Sequence, residues 1–389
     1  MKITNKIVTF IDIITAYPIF WLSCLMPRDK HRWVFIGWHH GVNGEIFADN
    51  TKYFFLHLCQ HQKAIRPIWL AKDRKLAKTL QDNGYESYYE YSLMGVWQAL
   101  RAGFTVIDAY LQRQNFRFVG RSKIIQLLHG KGMKAKGYSK PQIKANDYIF
   151  HTSPFTTSIL PEVFKRGSKN HITGYSRDDI FWQQLPGSNI STSSDIATKL
   201  KSVRQTDSQA TCFWYAPTFR RGEKTFPIQK VLEPERLNQW LLQNNGYLFI
   251  NLHPKYRGQT KTADYSRIFF FDESDTYPLM SNFDCLITDY SSIFTDYLLL
   301  DRPIIFYPYD LDTYKEKEGL SVDYTTLPGP KVFKIDELLA AMAAVTKGVD
   351  EYVAARKTTR DLYHAYQDGR ASERIIKTIN QEEKLGLDL

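Results

Sequence analysis

Cysteine is scarce in this chain of 389 residues: Cys24, Cys59, Cys212 and Cys285 stand far apart, with no CxxC pair. That spacing excludes a zinc knuckle and a disulfide framework, and it fits a reducing, cytoplasmic setting. HExxH, GxSxG and Walker A motifs are absent, so zincin, serine-hydrolase and P-loop chemistry have no sequence support. Internal repeats and low-complexity tracts are missing too. One segment, Ile7–Met26 (IVTFIDIITAYPIFWLSCLM), has the length of a bilayer span. Asp12, Pro18 and interspersed Thr and Ser argue against a simple span. No small-residue cleavage site follows, so a secretory signal is not expected. Basic residues flank it: Lys2 and Lys6 before, Arg28, Lys30 and Arg32 after. It reads as an amphipathic segment on a membrane surface or as a helix packed on the domain.

What is present describes a packed protein. The composition is 43% hydrophobic, 24% charged and 14% aromatic, which excludes disorder, collagen and coiled coil. The length predicts two domains. The net charge is +10, and it is concentrated. Leu111–Arg177 holds thirteen Lys and Arg against Asp147 and Glu162 alone. Such a field attracts phosphates.

Short β-rich runs alternate with helical stretches, the pattern of an α/β fold. Strands are expected at Trp33–Trp38, Arg66–Ala71, Phe104–Asp108, Lys123–Leu128, Asp147–His151 and His171–Gly174. A second set is expected at Cys212–Ala216, Tyr247–Leu252, Ile268–Phe271, Cys285–Thr288 and Pro303–Tyr307. Helices are expected at Pro234–Gln243, Ser291–Leu300, Ile335–Ala344 and Glu351–Tyr366, and Asp49 or Asn50 reads as the N-cap of DNTKYFFLHLCQ. The polar stretch 183–209 reads as a linker. The expected organisation is a membrane-associating segment (1–32), a Rossmann-like acceptor-side domain (33–182), the linker, and a nucleotide-binding Rossmann-like domain with C-terminal helices (210–389). Two such doubly wound halves would face each other across a cleft.

Four motifs carry chemistry. In CLITDYSSIFTDY, a buried strand ends in a polar turn at Thr288 and Asp289, and a helix starts at Ser291 or Ser292. Free backbone N–H groups there can cradle phosphate, and Asp296 can accept from ribose hydroxyls. Ser291 and Ser292 can equally serve as a plain N-cap. In NLHPKYR, His253 stands at a strand end beside Lys255 and Arg257, a set suited to phosphate oxygen. WYAPTFRR brings Thr218, Arg220 and Arg221 to another strand end. LLHGKGMK places His129 before Gly130 and Gly132, which permit unusual backbone angles; a neutral imidazole there can take a proton from an attacking hydroxyl. Arg177, in GYSRDD, is expected at the cleft. Lys131, Lys134, Lys136, Lys140 and Lys144 are expected to meet an acceptor or a membrane. Asp310-Leu-Asp312 spells DxD, but a turn is the simpler reading, and no metal or cofactor is expected.

Together these motifs resemble the CDP-glycerol glycerophosphotransferase family of teichoic-acid and capsule enzymes, from about Trp33 to Ile376. The carriers are HGKGMK, TGYSRDD, YAPTFR, HPKYR, ITDYSSIFTDYLLLDRPIIFYPYDLDTY and DYTTLPGP. Lys131, Gly132 and Ser176 depart from the family's Thr, Pro and Pro. The resemblance implies a GT-B-like fold and transfer of glycerol phosphate from CDP-glycerol to a hydroxyl of a lipid-linked or polymeric acceptor, releasing CMP. It implies functional histidines at His129 and His253, and a peripheral position on the cytoplasmic membrane face. CDP-ribitol, or a nucleotide sugar in another GT-B enzyme, is the alternative donor. A nucleic-acid partner is not expected, because no RRM-like or helix-turn-helix pattern accompanies the basic stretch.

Overall fold

The computed structural model describes residues 16–40, 44–45, 47–109, 111, 113–130, 133, 144–165, 167–190, 192, 194–220, 222–223, 225–252, 256, 265–271 and 275–388. The chain forms two compact units. The first comprises residues 1–129, 139–191 and 365–389; the second comprises 130–138 and 192–364.

The first unit is built on a seven-stranded sheet, ordered β5-β4-β1-β6-β7-β8-β9. Its strands are β1 (Asp29–Ile36), β4 (Arg66–Ala71), β5 (Ser87–Tyr89), β6 (Ala102–Ile107), β7 (Lys123–Gln126), β8 (Tyr148–His151) and β9 (Lys169–Ile172). A separate two-stranded ribbon pairs β2 (His39–His40) with β3 (Gly44–Glu45). All seven sheet strands are parallel, and Val34 of β1 pairs with Ile68 of β4 and Thr105 of β6. Every residue of β6 is buried, as expected of a central parallel strand covered on both faces. The strand order reverses between β1 and β6, the switch point where open α/β sheets present loops to ligands.

Residues 16–23 are helical. Ala16 lies in the first unit's core with Val34, Ile36 and Phe116, and Phe20 stacks on Phe116 at 4.4 Å. The other side of the segment is open: Trp21 is 67% and Leu25 77% exposed. The packed-helix reading therefore describes the face that carries Ala16 and Phe20. The flanking Arg28 is a fold element instead. Its guanidinium donates to the carbonyls of Ala99 (2.9 Å) and Ser23 (2.8 Å), and burial pulls its pKa down to about 10. Among the described residues, no helix is long and apolar enough to cross a membrane.

The second unit holds a five-stranded parallel sheet, ordered β12-β11-β10-β13-β14. The strands are β10 (Thr211–Ala216), β11 (Gly246–Asn251), β12 (Ile268–Phe271), β13 (Cys285–Thr288) and β14 (Ile304–Phe306). Its order reverses between β10 and β13. Phe213, Leu248, Ile287 and Ile305 share its core with Leu237, Leu241 and Met342 from covering helices.

Three expectations change. The stretch read as a linker contains a helix, Ser194–Thr206, whose Ile196, Leu200 and Val203 are buried at helical spacing. The helix Ala371–Glu383 belongs to the first unit rather than closing the second. Asp179 holds its start, with its two carboxylate oxygens accepting from the backbone N–H groups of Ala371 (2.8 Å) and Ser372 (2.9 Å). Finally, the basic stretch Leu111–Arg177 is partly neutralised by acids distant in sequence. Lys169 pairs with Glu382, and Arg177 with Asp49.

Candidate active site

β7 stops at Gln126 because Leu128 has φ +61°, a left-handed conformation that an extended strand cannot contain. The chain turns sharply and presents His129, followed by Gly130 at φ +84°, where the absence of a side chain removes the strain. The strained residue is therefore the leucine, and its neighbours hold it. Gln126 Oε1 accepts from the Leu128 N–H at 2.9 Å, and Gln126 Nε2 donates to the Ala109 carbonyl at 2.7 Å. Asn50 Nδ2 donates to the Leu128 carbonyl at 2.8 Å.

The half-buried His129 ring stacks against Trp38 at 5.0 Å. Its Nδ1 lies 3.0 Å from the backbone carbonyl of Asp108. A carbonyl only accepts, so a neutral ring in this contact carries its proton on Nδ1 and a lone pair on Nε2. Asp108 itself is buried at the end of β6, and its Oδ2 accepts from Thr51 Oγ1 at 2.6 Å. Burial, with the charge of Asp49 added, pushes its pKa up to about 8.

In the second unit, the turn after β13 and the loop after β10 meet at the switch point of their own sheet. Asp289 is fully buried, and its Oδ1 accepts from the backbone N–H groups of Thr218 (2.8 Å) and Tyr290 (2.5 Å). Arg220 lies between two carboxylates. Its Nη1 is 2.8 Å from Asp289 Oδ2, while Nε and Nη2 form a fork on Asp310 at 2.7 and 2.8 Å. Tyr290, Tyr309 and Tyr314 pack against the guanidinium at 5.0, 5.0 and 5.4 Å. Burial opposes the charge, but the two carboxylates outweigh it and hold Arg220 above its ordinary pKa. Ser291 Oγ accepts from the Ile293 N–H at 3.3 Å. The Thr218 hydroxyl oxygen is buried with no hydrogen-bond partner among the described residues.

The expected residues thus divide. Thr218, Thr288, Asp289, Ser291 and Ser292 are brought to one turn, but Thr288 and Asp289 are wholly buried and brace it. Ser291 and Ser292 are half-buried. Asp296 is buried on the following helix and accepts from the Tyr277 hydroxyl at 2.7 Å.

Three expectations are corrected. Arg220 is 5% exposed and spends its donors within the fold rather than on a substrate. Arg177, 2% exposed, is locked to Asp49 at 2.5 Å beneath the His129 turn. Lys144 donates to the carbonyls of Gly120 (3.1 Å) and Ser122 (2.6 Å), and burial lowers its pKa; it is an internal tie rather than an acceptor or membrane contact. His253, Lys255, Arg257, Lys131, Lys134, Lys136 and Lys140 lie outside the described residues. Asp310 forms the turn before the helix Leu311–Glu318. Among the described residues, no group of three His, Cys, Asp or Glu side chains is placed to hold a metal. Sequence reading missed Asn50, Thr51, Asp108 and Gln126 as site supports. The available signal for Asp108 was a carboxylate closing a largely apolar strand.

The chain resembles known proteins along most of its length. It is 27% identical over 396 residues to the teichoic acid glycerol-phosphate transferase of Staphylococcus aureus (strain NCTC 8325 / PS 47), covering 94% of this chain and 96% of that one. It is also 27% identical over 284 residues to that organism's teichoic acid ribitol-phosphate polymerase TarL, where the match covers 68% of this chain and about half (48%) of the relative. Among solved structures, a variant of the wall teichoic acid polymerase TagF superposes with a TM-score of 0.73 at 21% identity, covering 98% of this chain and 97% of that chain. This likeness shows the fold, a GT-B-like pair of Rossmann-like domains. A family model for CDP-glycerol:poly(glycerophosphate) glycerophosphotransferase matches residues 20–381. The chain therefore belongs to the CDP-glycerol:poly(glycerophosphate) glycerophosphotransferase family and is, as its motifs led one to expect, a CDP-glycerol glycerophosphotransferase.

Proposed function

We propose that this enzyme transfers glycerol phosphate from CDP-glycerol to a hydroxyl of a lipid-linked teichoic-acid-type acceptor, with His129 as general base. The acceptor O–H gives its proton to His129 Nε2, and its oxygen attacks the β-phosphorus of CDP-glycerol. The bond from that phosphorus to the bridging oxygen breaks, and CMP leaves with the electron pair. The observation that carries this reading is the 3.0 Å contact from His129 Nδ1 to the Asp108 carbonyl, which leaves Nε2 as the ring's acceptor. The second unit binds the nucleotide. Thr218 and the Ser291–Ser292 turn offer hydroxyl and backbone donors to the diphosphate, and His253 and Arg257 neutralise charge on the departing CMP. Positioning and charge stabilisation of this kind account for most phosphoryl-transfer catalysis.

The test is CMP release from CDP-glycerol, CDP-ribitol and UDP-sugars, each with and without a lipid-linked acceptor. Acceptor-dependent release from CDP-glycerol alone is the expected result. Faster release from CDP-ribitol or a UDP-sugar would overturn the donor assignment.

The enzyme works as a peripheral protein on the cytoplasmic face of the membrane. Supporting this are the open face formed by Tyr17, Trp21, Leu22 and Leu25, and the exposed Leu93, Met94 and Trp97 of the helix Leu93–Arg101. Apolar and aromatic side chains of this kind enter the interfacial layer of a bilayer. Replacing Trp21, Leu22 and Leu25 together by serine should release the protein from anionic vesicles in flotation. Unchanged flotation would remove this reading.

A further inference from the structure

Three consecutive residues at the start of the helix Asp49–His61 each bond a different element: Arg177, the Leu127–Leu128 backbone and Asp108. Asp49 Oδ1 accepts from Arg177 Nη1 at 2.5 Å. Thr51 Oγ1 donates to the carboxylate of Asp108 at 2.6 Å, and the carbonyl of that same residue faces His129 Nδ1. Asn50, between them, is fully buried. Its Nδ2 donates to the carbonyls of Leu128 at 2.8 Å and Leu127 at 3.4 Å, while its Oδ1 accepts from the Arg177 N–H at 3.1 Å.

The orientation of this amide is dictated by its partners. A backbone N–H can only donate and the two carbonyls can only accept, so the oxygen must face Arg177 and the nitrogen must face the turn. The clamped residue is Leu128, which holds φ +61° one position before the base. A residue with a side chain enters that region only under strain and stays only where its surroundings over-determine it. Released, the Leu127–Leu128 backbone would relax towards ordinary angles, and the imidazole would swing with it.

We propose that Asn50 is a positioning residue for the transfer step: its side-chain amide holds the Leu127–Leu128 backbone in the conformation that aims the His129 imidazole at the acceptor hydroxyl. This rests on the reading of His129 as the base. Asn50 belongs to the first unit, whereas the donor is read as binding the second, so its loss should slow turnover without weakening the donor. Thr51 acts in the same direction through Asp108, by a separate hydrogen bond.

The experiment measures kcat and KM for CDP-glycerol, and thermal stability, in Asn50→Ser, Thr51→Val and His129→Ala. Serine is too short to span the gap and adds no charge; valine keeps the shape of threonine and removes its donor. For Asn50→Ser the expected result is a fall in kcat of about tenfold or more, with KM within about twofold, since displacing a reacting group by about 1 Å has this scale of effect. Thr51→Val should give a smaller fall of the same kind. A kcat near wild type in both variants, or a rise in KM that accounts for the loss, would overturn the proposal. So would a collapse in melting temperature in both, which would assign the two residues to the fold alone. His129→Ala separates the two readings. If it turns over at the wild-type rate, the base assignment fails and this proposal fails with it. If it is inactive while Asn50→Ser is not slowed, the positioning role alone is wrong.

Discussion

The His129 turn and the Asp289 turn each follow a parallel strand, but they are built with opposite materials. The Asp289 turn follows β13, which flanks the reversal of its sheet, and the His129 turn follows β7, one strand beyond the reversal of its own. Around His129 the braces are mainly neutral: Asn50, Gln126 and the Thr51 hydroxyl. Around Asp289 the brace is ionic, with Arg220 shared between Asp289 and Asp310. A neutral brace can be loosened without stranding a charge. A buried ionic brace cannot, because removing one partner leaves the others charged in a poor solvent. Arg220 is already shared between two carboxylates within the fold.

The sharpest test of this contrast is His129→Ala. If the first turn exists to present a base, CMP release should fall by about 10²–10⁴-fold, with CDP-glycerol affinity little changed; near wild-type release would leave that turn without a catalytic purpose. Next in size is Arg220→Met. It strands two carboxylates, and a loss of about 3–5 kcal/mol in folding stability is expected from denaturant midpoints. A loss near zero would mean that the ionic brace is no more demanding than the neutral one.

Asp108→Asn probes a buried titratable group whose backbone carbonyl faces His129. In the fold, burial and the Asp49 charge lift the Asp108 pKa from 3.8 to about 8, against smaller opposing effects of the Thr51 hydrogen bonds and of Arg177. The folded protein therefore holds this proton more tightly than the unfolded chain does. The resulting stability is fully present below the unfolded pKa and is lost as pH rises through about 8. Wild type should lose stability between pH 4 and 8 relative to Asp108→Asn, as read from denaturant midpoints at each pH. Parallel curves for the two proteins would show that the carboxylate is not held protonated. The smallest effect is expected from Thr218→Val. Losing one hydroxyl contact should weaken CDP-glycerol by about 0.5–1.5 kcal/mol, read by calorimetry, with stability unchanged. A change in stability instead would place that hydroxyl among the braces.

Several elements were legible in the sequence because their signals are local. The strands Arg66–Ala71, Ile268–Phe271 and Cys285–Thr288 and the helix Pro234–Gln243 lie where apolar runs and a leading proline put them. β5 was missed because three residues carry too little pattern. The helix Ser194–Thr206 was missed because a Ser/Thr cluster drew attention away from Ile196, Leu200 and Val203, whose spacing was there to be read. β7 ends before its apolar run does, because Leu128 turns left-handed under restraint from Gln126 and Asn50. No local propensity announces such a turn at leucine.

Charge shows the division most clearly. The order of the motifs sufficed to recognise the resemblance to the glycerophosphotransferase family, and one of those motifs carries His129, the proposed base. The excess of cations between Leu111 and Arg177 is equally a property of the sequence. Which of them remain available is not. Arg177 is taken by Asp49, Lys169 by Glu382, and Lys144 by the carbonyls of Gly120 and Ser122. Asp49 and Glu382 lie outside that stretch, and Coulomb and hydrogen-bond energies depend on separation in space. Only the folded backbone, by bringing residues over a hundred positions apart into contact, decided which cations brace the protein.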